Sequence, residues 1–400
     1  MKLDISKNEK PFEVKIIAFL LIALLLLDRN FSKLAIVGPI FLHDALLLFA
    51  TIFALYKVPN KFKFPSIFLL LVISFLYFLY SIVFAGIDER YLLMVFRHFF
   101  LFFYLICCYI IANKIFLNKE NINEAISFIV KIAKWSIVLQ LGYFIYLFIT
   151  VPNYSPLKGF SYFSAVGVMG IITYGAYALV YFNRVKRFII FTFALVISAM
   201  LGHSSSFFAL FAVYLVHFYI SFTPKQRLIG LLSVILILTV VIFKLPQFND
   251  GNANWRLLFW GEILNDAIFN KFLIFGNGFG EPFVSLDFAK EVVSEIGSYN
   301  LLGNNNPMVR WEVPPHNSFL TIIFHIGLLP SLLLLLPLKS AFLQIFVKVK
   351  SNDKKYLFLF YSLIGSVIWA SFNVILELPH SAIYFWLIYF TYIFYNAKKT

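Results

Sequence analysis

A histidine stands at the boundary between a polar segment and a long apolar run. The segment reads PPHNSFL from Pro314 to Leu320, and the run TIIFHIGLLPSLLLLLPL follows it. A histidine can act as a general acid or base near neutral pH, so His316 is a candidate for proton transfer. The same letters also predict the start of a membrane helix, because proline halts the preceding segment and Asn317 or Ser318 can cap the first turn. The two interpretations are compatible.

Three arginines are candidates for holding an anion near this histidine. Arg256 and Arg310 precede His316 in the same polar region, and Arg97 lies near the end of a predicted span in LLMVFRHFFLF. Arginine keeps its charge and can bind phosphate through two parallel hydrogen bonds. A charge in or beside a membrane span is costly and therefore indicates a functional site. For Arg97 the alternative is a long side chain that extends to the membrane surface.

Two acidic residues could complete such a site. Asp44 stands in GPIFLHDALLLF and Glu377 in NVILELPHS, both near ends of predicted spans. Each could pair with an arginine or act as a catalytic acid, and the sequence leaves both roles open. No DxD or HExxH motif occurs in the chain, so we predict no metal site.

Two other features have structural explanations. The stretch GNGFG (276–280) follows no predicted strand and precedes no Lys-Ser/Thr pair, so it does not match a phosphate-binding loop. It predicts a tight turn with positive φ angles. His325, inside the apolar run, is predicted to be packed and hydrogen-bonded.

The elements that must position these residues are membrane helices. Hydrophobic residues make up 61% of the chain and charged residues 13%, and the mean hydropathy is +0.87. Soluble proteins carry about 45–50% apolar and about 25% charged residues. A helix needs roughly 20 apolar residues to span a bilayer. We therefore predict an all-α polytopic membrane protein with about twelve transmembrane helices, at approximately 12–27, 34–56, 65–85, 92–112, 129–150, 161–182, 187–202, 205–222, 228–244, 319–338, 356–376 and 381–396.

The basic residues orient these spans. Most of the 33 lysines and arginines fall in segments that are cytoplasmic if the N-terminus is inside, as the positive-inside rule expects. This charge is dispersed over short loops, so it does not indicate a nucleic-acid partner. The orientation places both termini in the cytoplasm and one long connection outside.

That connection divides the chain into three parts. We predict an N-terminal transmembrane bundle of about nine spans at 1–244, a large outer loop at 245–318 and about three C-terminal spans at 319–400. A loop of this length is usually functional. Within it, 254–269 and 284–297 are predicted to be amphipathic helices.

The assembled parts resemble the O-antigen polymerase and O-antigen ligase family. The arginine helix NWRLLFWGEIL, the turn GNGFG and the stretch HNSFLTIIFHIGLLPSLL occur in the order of that family's C-terminal signature. The resemblance is most specific over about 254–332, and GPIFLHDALLL and the number of spans support it more loosely. It implies a GT-C-like fold in the bacterial inner (cytoplasmic) membrane, with a large, partly helical periplasmic loop and a periplasmic active site.

The resemblance also implies a chemistry. Family members are metal-independent inverting glycosyltransferases that use undecaprenyl-pyrophosphate-linked oligosaccharides and no cofactor. His316 would match the histidine that activates the acceptor hydroxyl, with Asn317 supporting it, and Arg256 would match an arginine that holds the pyrophosphate. Many relatives carry a Ser-Arg pair at an outer turn that here reads GHSSSFF (202–208), without arginine. His203 or an arginine from elsewhere, such as Arg97 or Arg310, could substitute.

The sequence leaves open which family member this is. A polymerase transfers the growing glycan onto a lipid-linked repeat unit, and a chain-length regulator is then a further partner. A ligase transfers the finished glycan to lipid A–core. The HNSF letters directly before a glycine-leucine helix favour the polymerase. A transporter such as a polysaccharide flippase would carry charges across many spans, whereas the candidate charges here gather at the outer ends.

Overall fold

The structure is a computed structural model that describes residues 11–37, 40–56, 62–86, 91–152, 154, 163–201, 204–221, 252–269, 272–290, 309–347 and 353–398. This part of the chain is 82% helical and 2% strand, which confirms the predicted helical class. The predicted span at 228–244, His203 and the end of the predicted helix at 284–297 lie outside the described residues.

The helices follow one another with few other elements between them. In chain order the elements are α1 (Phe12–Ser32), β1 (Ala35–Val37), β2 (Ile40–Phe41), α2 (Leu42–Leu55), α3 (Pro65–Val83), α4 (Leu92–Ile115), α5 (Lys119–Thr150), α6 (Ala165–Tyr181), α7 (Arg184–Met200), α8 (Ser204–Ser221), α9 (Asn252–Phe269), α10 (Phe272–Phe275), α11 (Val309–Glu312), α12 (Ser318–Ile326), α13 (Leu328–Ser331), two 3-10 turns (Leu332–Leu334 and Leu336–Leu338), α14 (Lys339–Val347), α15 (Lys354–Ala370) and α16 (Pro379–Ala397). A short helical turn also covers 286–290.

Three of the described helices, α3, α4 and α5, are long and apolar enough to cross a membrane. Shorter apolar helices include α2, α6 and most of α8. These helices support a membrane protein, and the full count of twelve spans stays a prediction.

Two predicted spans are not continuous helices. The span at 34–56 begins with a hairpin, in which Ala35 pairs with Phe41. The helix α2 starts only at Leu42, because the Asp44 carboxylate accepts the backbone N–H of Phe41 and closes the first turn. The span at 319–338 breaks at Gly327, which has a φ of 83°, and continues as short helical turns.

Glycines let the membrane helices approach closely. A β-carbon at Gly170 in α6 would lie 1.9 Å from the Ser136 hydroxyl of α5. A β-carbon at Gly365 in α15 would lie 2.4 Å from Ile172 of α6. Small residues bring backbones together in membrane bundles, where van der Waals packing drives helix association. The helix α16 is buried along most of its length and contacts α1, α4, α5, α6 and α15, so it forms the centre of the bundle.

The helix ends that the charge pattern predicts to be outside are joined by polar contacts. Asp28, where α1 leaves helical geometry with a φ of 43°, accepts the backbone N–H of Ala165 at the start of α6 at 3.0 Å. Ser81 near the end of α3 accepts the N–H of Phe279 at 2.8 Å. The described part of the long connection therefore packs on the end of the bundle that the charge pattern places outside.

The predicted helix at 254–269 is confirmed as α9. Phe259 and Ile263, four residues apart, are both buried, as expected for one apolar face. They pack with Phe283, Leu320 and Phe324, so α9 lies against α12.

The break at Gly327 yields a first prediction. Gly327→Ala places a β-carbon 2.1 Å from the carbonyl oxygen of Ile274 at a φ of +83°. Overpacking and the left-handed backbone together should lower the free energy of unfolding by about 3 kcal/mol. The measurement is the thermal unfolding midpoint of the purified protein in detergent. Gly142→Ala in α5 is the matched control, because a β-carbon there meets nothing within 4 Å. Equal midpoints for the two variants would contradict the close approach.

Candidate functional site

His316 lies in a short segment held by α9. The helix α11 ends at Glu312, and the chain runs through Pro314 and Pro315 to the start of α12. The indole Nε1 of Trp260 donates to the Pro315 carbonyl. Because Trp260 lies four residues after Arg256, the two side chains share a face of α9. The helix that carries the arginine is thus bonded to the segment that carries the histidine.

The backbone of His316 is in an unusual conformation. Its φ is +51°, a value that residues with a β-carbon rarely adopt. Its N–H donates to the Pro314 carbonyl at 2.7 Å, and its ring Nδ1 lies 3.1 Å from the same oxygen. A carbonyl only accepts, so Nδ1 carries the proton and Nε2 carries the lone pair. Such strain is typical of functional sites.

The environment of His316 keeps the imidazole neutral. Its pKa is lowered from the usual 6.5 to about 4, first by burial and then by the positive charge of Arg256; the hydrogen bond to Pro314 opposes the shift. Both lowering effects disfavour the imidazolium form. At neutral pH the ring can therefore accept a proton at Nε2.

Asn317 is the residue that caps α12. Its side-chain oxygen accepts the N–H groups of Phe319 at 3.2 Å and Leu320 at 3.1 Å. The predicted cap therefore exists beside the histidine, and it fixes the direction in which the chain leaves His316.

Ser318 connects the start of α12 to the loop between α15 and α16. Its hydroxyl donates to Glu377 Oε2 at 2.5 Å and accepts the N–H groups of Ile375 and Leu376 at 2.8 and 3.1 Å. Burial raises the pKa of the Glu377 carboxyl, and hydrogen bonds from Ser318 and Thr321 oppose this shift. Glu377 Oε1 is buried and has no hydrogen bond within the described part of the chain. Glu377 thus lies behind the first turn of α12 as a desolvated carboxyl.

Asn373 extends this network to the first turn of α8. Its side-chain nitrogen donates to the Ser205 hydroxyl at 2.7 Å and to the Trp369 carbonyl at 3.0 Å, and its own carbonyl oxygen lies 3.1 Å from the Ser318 hydroxyl oxygen. Sequence reasoning missed Asn373 and Trp260. An amide at the end of an apolar span, and an indole four residues after Arg256, were the available signals.

The three candidate arginines have different surroundings. Arg256 Nη1 lies 3.4 Å from the Phe372 carbonyl and is the arginine whose charge acts on His316. Arg310 Nε donates to the Val284 carbonyl at 2.9 Å, and its guanidinium lies over the Trp311 ring. Arg97 pairs with Glu312 at 3.4 Å. Its side chain is 53% exposed. Arg310 and Arg97 therefore contact the segments that flank the histidine.

Asp44 lies in a different group of residues. Its Oδ1 accepts from the Tyr104 hydroxyl at 3.0 Å and lies 3.0 Å from His43 Nε2. Its Oδ2 accepts from Phe41. These contacts are inside the bundle between α2 and α4, and none of them joins Asp44 to an arginine or to the segment of His316.

An apolar cavity begins beside the capped helix start. It has a volume of about 240 Å³, and its lining includes Phe319, Ile322, Leu334, Leu338 and Tyr389. The cavity therefore extends along α12 and the short turns after it, and Phe319 in the first turn of α12 is the lining residue nearest to His316 in the sequence. Among the described residues, no group of three or more His, Cys, Asp or Glu side chains could hold a metal ion.

The hydroxyl of Ser318 carries a second prediction. Ser318→Ala removes the donor to Glu377 and leaves the N–H groups of Ile375 and Leu376 without their acceptor. Buried polar groups that lose a partner should cost about 1–3 kcal/mol, so the unfolding midpoint should fall clearly. Ser371→Ala is the control in the same loop, since within the described residues that hydroxyl donates to the Val367 carbonyl one turn back and to no other group. A fall no larger than that of the control would show that Ser318 is not the connection.

No protein-family model matches the sequence, and a search of curated proteins finds no similar one. The resemblance to the O-antigen polymerase and ligase family therefore rests on the sequence, chiefly on the residues of 254–332.

Proposed function

We propose that this protein is an O-antigen (surface polysaccharide) polymerase, a metal-independent inverting glycosyltransferase. It transfers the undecaprenyl-pyrophosphate-linked glycan chain onto a lipid-linked repeat unit at the periplasmic face of the bacterial inner membrane. The observation that carries the proposal is a neutral histidine under the charge of Arg256, directly before a helix whose apolar side chains line a cavity.

The reaction needs a base for the acceptor. The acceptor hydroxyl gives its proton to Nε2 of His316 while its oxygen attacks the anomeric carbon from the face opposite the pyrophosphate. The bond from that carbon to the pyrophosphate oxygen breaks, and the electron pair leaves with the pyrophosphate. A neutral ring with its proton on Nδ1 is the form that this step requires. The hydrogen bond from Nδ1 to Pro314 holds that tautomer.

The leaving group needs positive charge. Arg256 lies at the site and stabilises the charge that develops on the pyrophosphate, without becoming neutral itself. Arg97 supplies the second charge that the missing Ser-Arg pair would give. Its partner Glu312 is also substantially exposed. An exposed ion pair is worth about 0–1 kcal/mol, so Arg97 can exchange Glu312 for a phosphate at little cost.

The donor's lipid needs an apolar site that begins at the reacting group. The cavity lined by Phe319 and Ile322 offers such a surface for the first isoprene units. A prenyl chain buried there would gain about 0.8 kcal/mol for each CH₂ group removed from water. An apolar cavity along the helix that begins directly after His316 and Asn317 supports a lipid-linked donor and not a nucleotide sugar.

The proposal includes the finer architecture. About twelve spans form a GT-C-like bundle, both termini are cytoplasmic, and the connection at 245–318 is periplasmic. The three long apolar helices and the packing of 276–280 and α9 on the outer end support this arrangement.

The role of His316 is tested by replacement. His316→Gln in a strain that lacks the gene should abolish long glycan, because a neutral amide cannot accept the proton. Lipid-linked repeat units should still reach the periplasm. His217→Gln is the control, since His217 is a buried histidine bonded to Tyr361 in α8 and α15. Normal chain lengths in His316→Gln would contradict the base role.

The lipopolysaccharide gel of the gene deletion also separates the two family functions. Core with a single repeat unit indicates a lost polymerase, and bare core would indicate a ligase.

The pH dependence of transfer follows from the pKa of His316. The base must be neutral, and its pKa is about 4. Transfer with a defined lipid-linked repeat unit should therefore hold as pH falls from 7 to 5 and decline only near 4. An ordinary histidine would lose its neutral form near its usual pKa of about 6.5. Arg256→Gln removes the neighbouring charge, so its acid limb should move to higher pH even though its rate is lower. An unchanged limb would show that Arg256 does not act on His316.

A further inference from the structure

Two buried histidines lie beside the candidate site without a role in the proposed chemistry. His98 of α4 and His325 of α12 are 8% and 0% exposed, and their ring centroids are 4.9 Å apart. Phe279 packs on His325 and Phe283 on His98. Buried polar side chains in a membrane bundle are costly unless they are bonded. Both rings form hydrogen bonds to backbone groups.

His98 bridges two separate pieces of backbone. Its Nδ1 accepts the N–H of Gly280 at 3.3 Å, and its Nε2 lies 2.8 Å from the Trp311 carbonyl. The amide fixes Nδ1 as the acceptor, so Nε2 carries the proton and donates to Trp311. One neutral ring thus joins the glycine turn to α11.

His325 holds the other side of the same turn. Its Nδ1 lies 2.9 Å from the Gly278 carbonyl, and its own carbonyl accepts the Gly278 N–H at 2.9 Å. The Asn277 N–H donates to the Phe324 carbonyl at 2.7 Å. The turn can lie this close because Gly276 and Gly327 meet without side chains: a β-carbon at Gly276 would be 2.5 Å from the Gly327 nitrogen.

The turn and α11 are further bonded to each other. Trp311 Nε1 donates to the Gly280 carbonyl at 2.8 Å, and the Phe283 N–H donates to the Arg310 carbonyl at 2.9 Å. The Arg310 side chain returns to Val284. Only three residues separate Trp311 from Pro315, the residue that Trp260 holds directly before His316. A shift of the turn would therefore be passed to the histidine segment.

We propose that His98 and His325 are positioning residues that lock the glycine turn and α11 together, and thereby set the places of Arg310, Glu312 and His316. This inference rests on the proposed transfer function for its catalytic consequence. The connection between 276–283 and 309–316 does not depend on that function. The proposal also gives GNGFG a role, because the two rings form hydrogen bonds to the backbone of Gly280 and Gly278 in this turn.

The experiment compares removal with conservative replacement in the purified full-length protein. His98→Leu and His325→Leu keep apolar volume and remove the bonds. His98→Gln keeps a donor that reaches the Trp311 carbonyl, and His325→Asn keeps a donor to Gly278. His217→Leu is the control for loss of a buried histidine elsewhere in the bundle.

Two readouts are measured on each variant. Hydrogen–deuterium exchange of 276–283 and 309–317 should rise at least about tenfold in the leucine variants, because local opening exposes these amides, and should return towards the wild-type rate in the conservative ones. In the transfer assay, kcat should fall about 100-fold in the leucine variants, as expected for a misplacement of about 1 Å. KM should change far less, and the conservative variants should recover most of kcat.

The outcomes separate the two proposals. Unchanged exchange in these segments overturns the positioning role, whatever the activity. Faster exchange with unchanged kcat also overturns it, because the turn would then not set the site. If the wild-type protein transfers no glycan, the proposed function fails, and the exchange data still decide whether the histidines lock the turn. If a leucine variant does not fold, the Gly280 amide in His98→Gln decides, because this variant keeps the donor to Trp311 and loses the Nδ1 acceptor of the Gly280 N–H. Exchange at Gly280 equal to that of His217→Leu contradicts the lock.

Discussion

The hydroxyl of Ser318 is the interaction on which the arrangement of the site depends. Ser318 is the first residue of α12. Its hydroxyl donates to Glu377 and accepts two backbone N–H groups of the loop between α15 and α16. That loop reaches α8 through Asn373 and Ser205. The side chain of Ser318 thus connects the residues directly before it, His316 and Asn317, to the loop between α15 and α16. Without such a tie, two prolines would fix only the local direction of the segment.

The site has two supports with different chemistry. On one side α9 binds the segment through Trp260 and brings Arg256 with it. On the other side His98 and His325 bind the glycine turn, and the turn binds α11. The histidine lies between these supports in the chain, and its ring Nδ1 faces the Pro314 carbonyl. Transfer chemistry gains from such preorganisation, because groups that are already placed need not be ordered during the reaction.

The parts that could be predicted from sequence are those fixed by neighbouring letters. The cap by Asn317, the helix at Arg256 and the positive φ angles of GNGFG each follow from local rules, and the described structure contains all three. The start of α2 could not be found in this way, because the residues of β1 and β2 are as apolar as the helix that follows. The partners of Asn373, His98 and His325 were also out of reach, since they are far away along the chain. Asp44 looked like a site acid from its position, but its contacts are with Tyr104 and His43.

The positive φ of His316 constrains how the protein can change. A β-carbon in left-handed backbone costs about 1–2 kcal/mol, and glycine is free of that penalty. At position 316 the residue with the least backbone strain is therefore glycine, which has no side chain to accept a proton. Stability and activity therefore oppose each other at this position. Replacement of His316 by glycine would raise the free energy of unfolding and would remove the proposed base. The protein retains a locally unfavourable residue where its proposed chemistry takes place, and the bonds of Ser318, Asn317 and Trp260 hold it there.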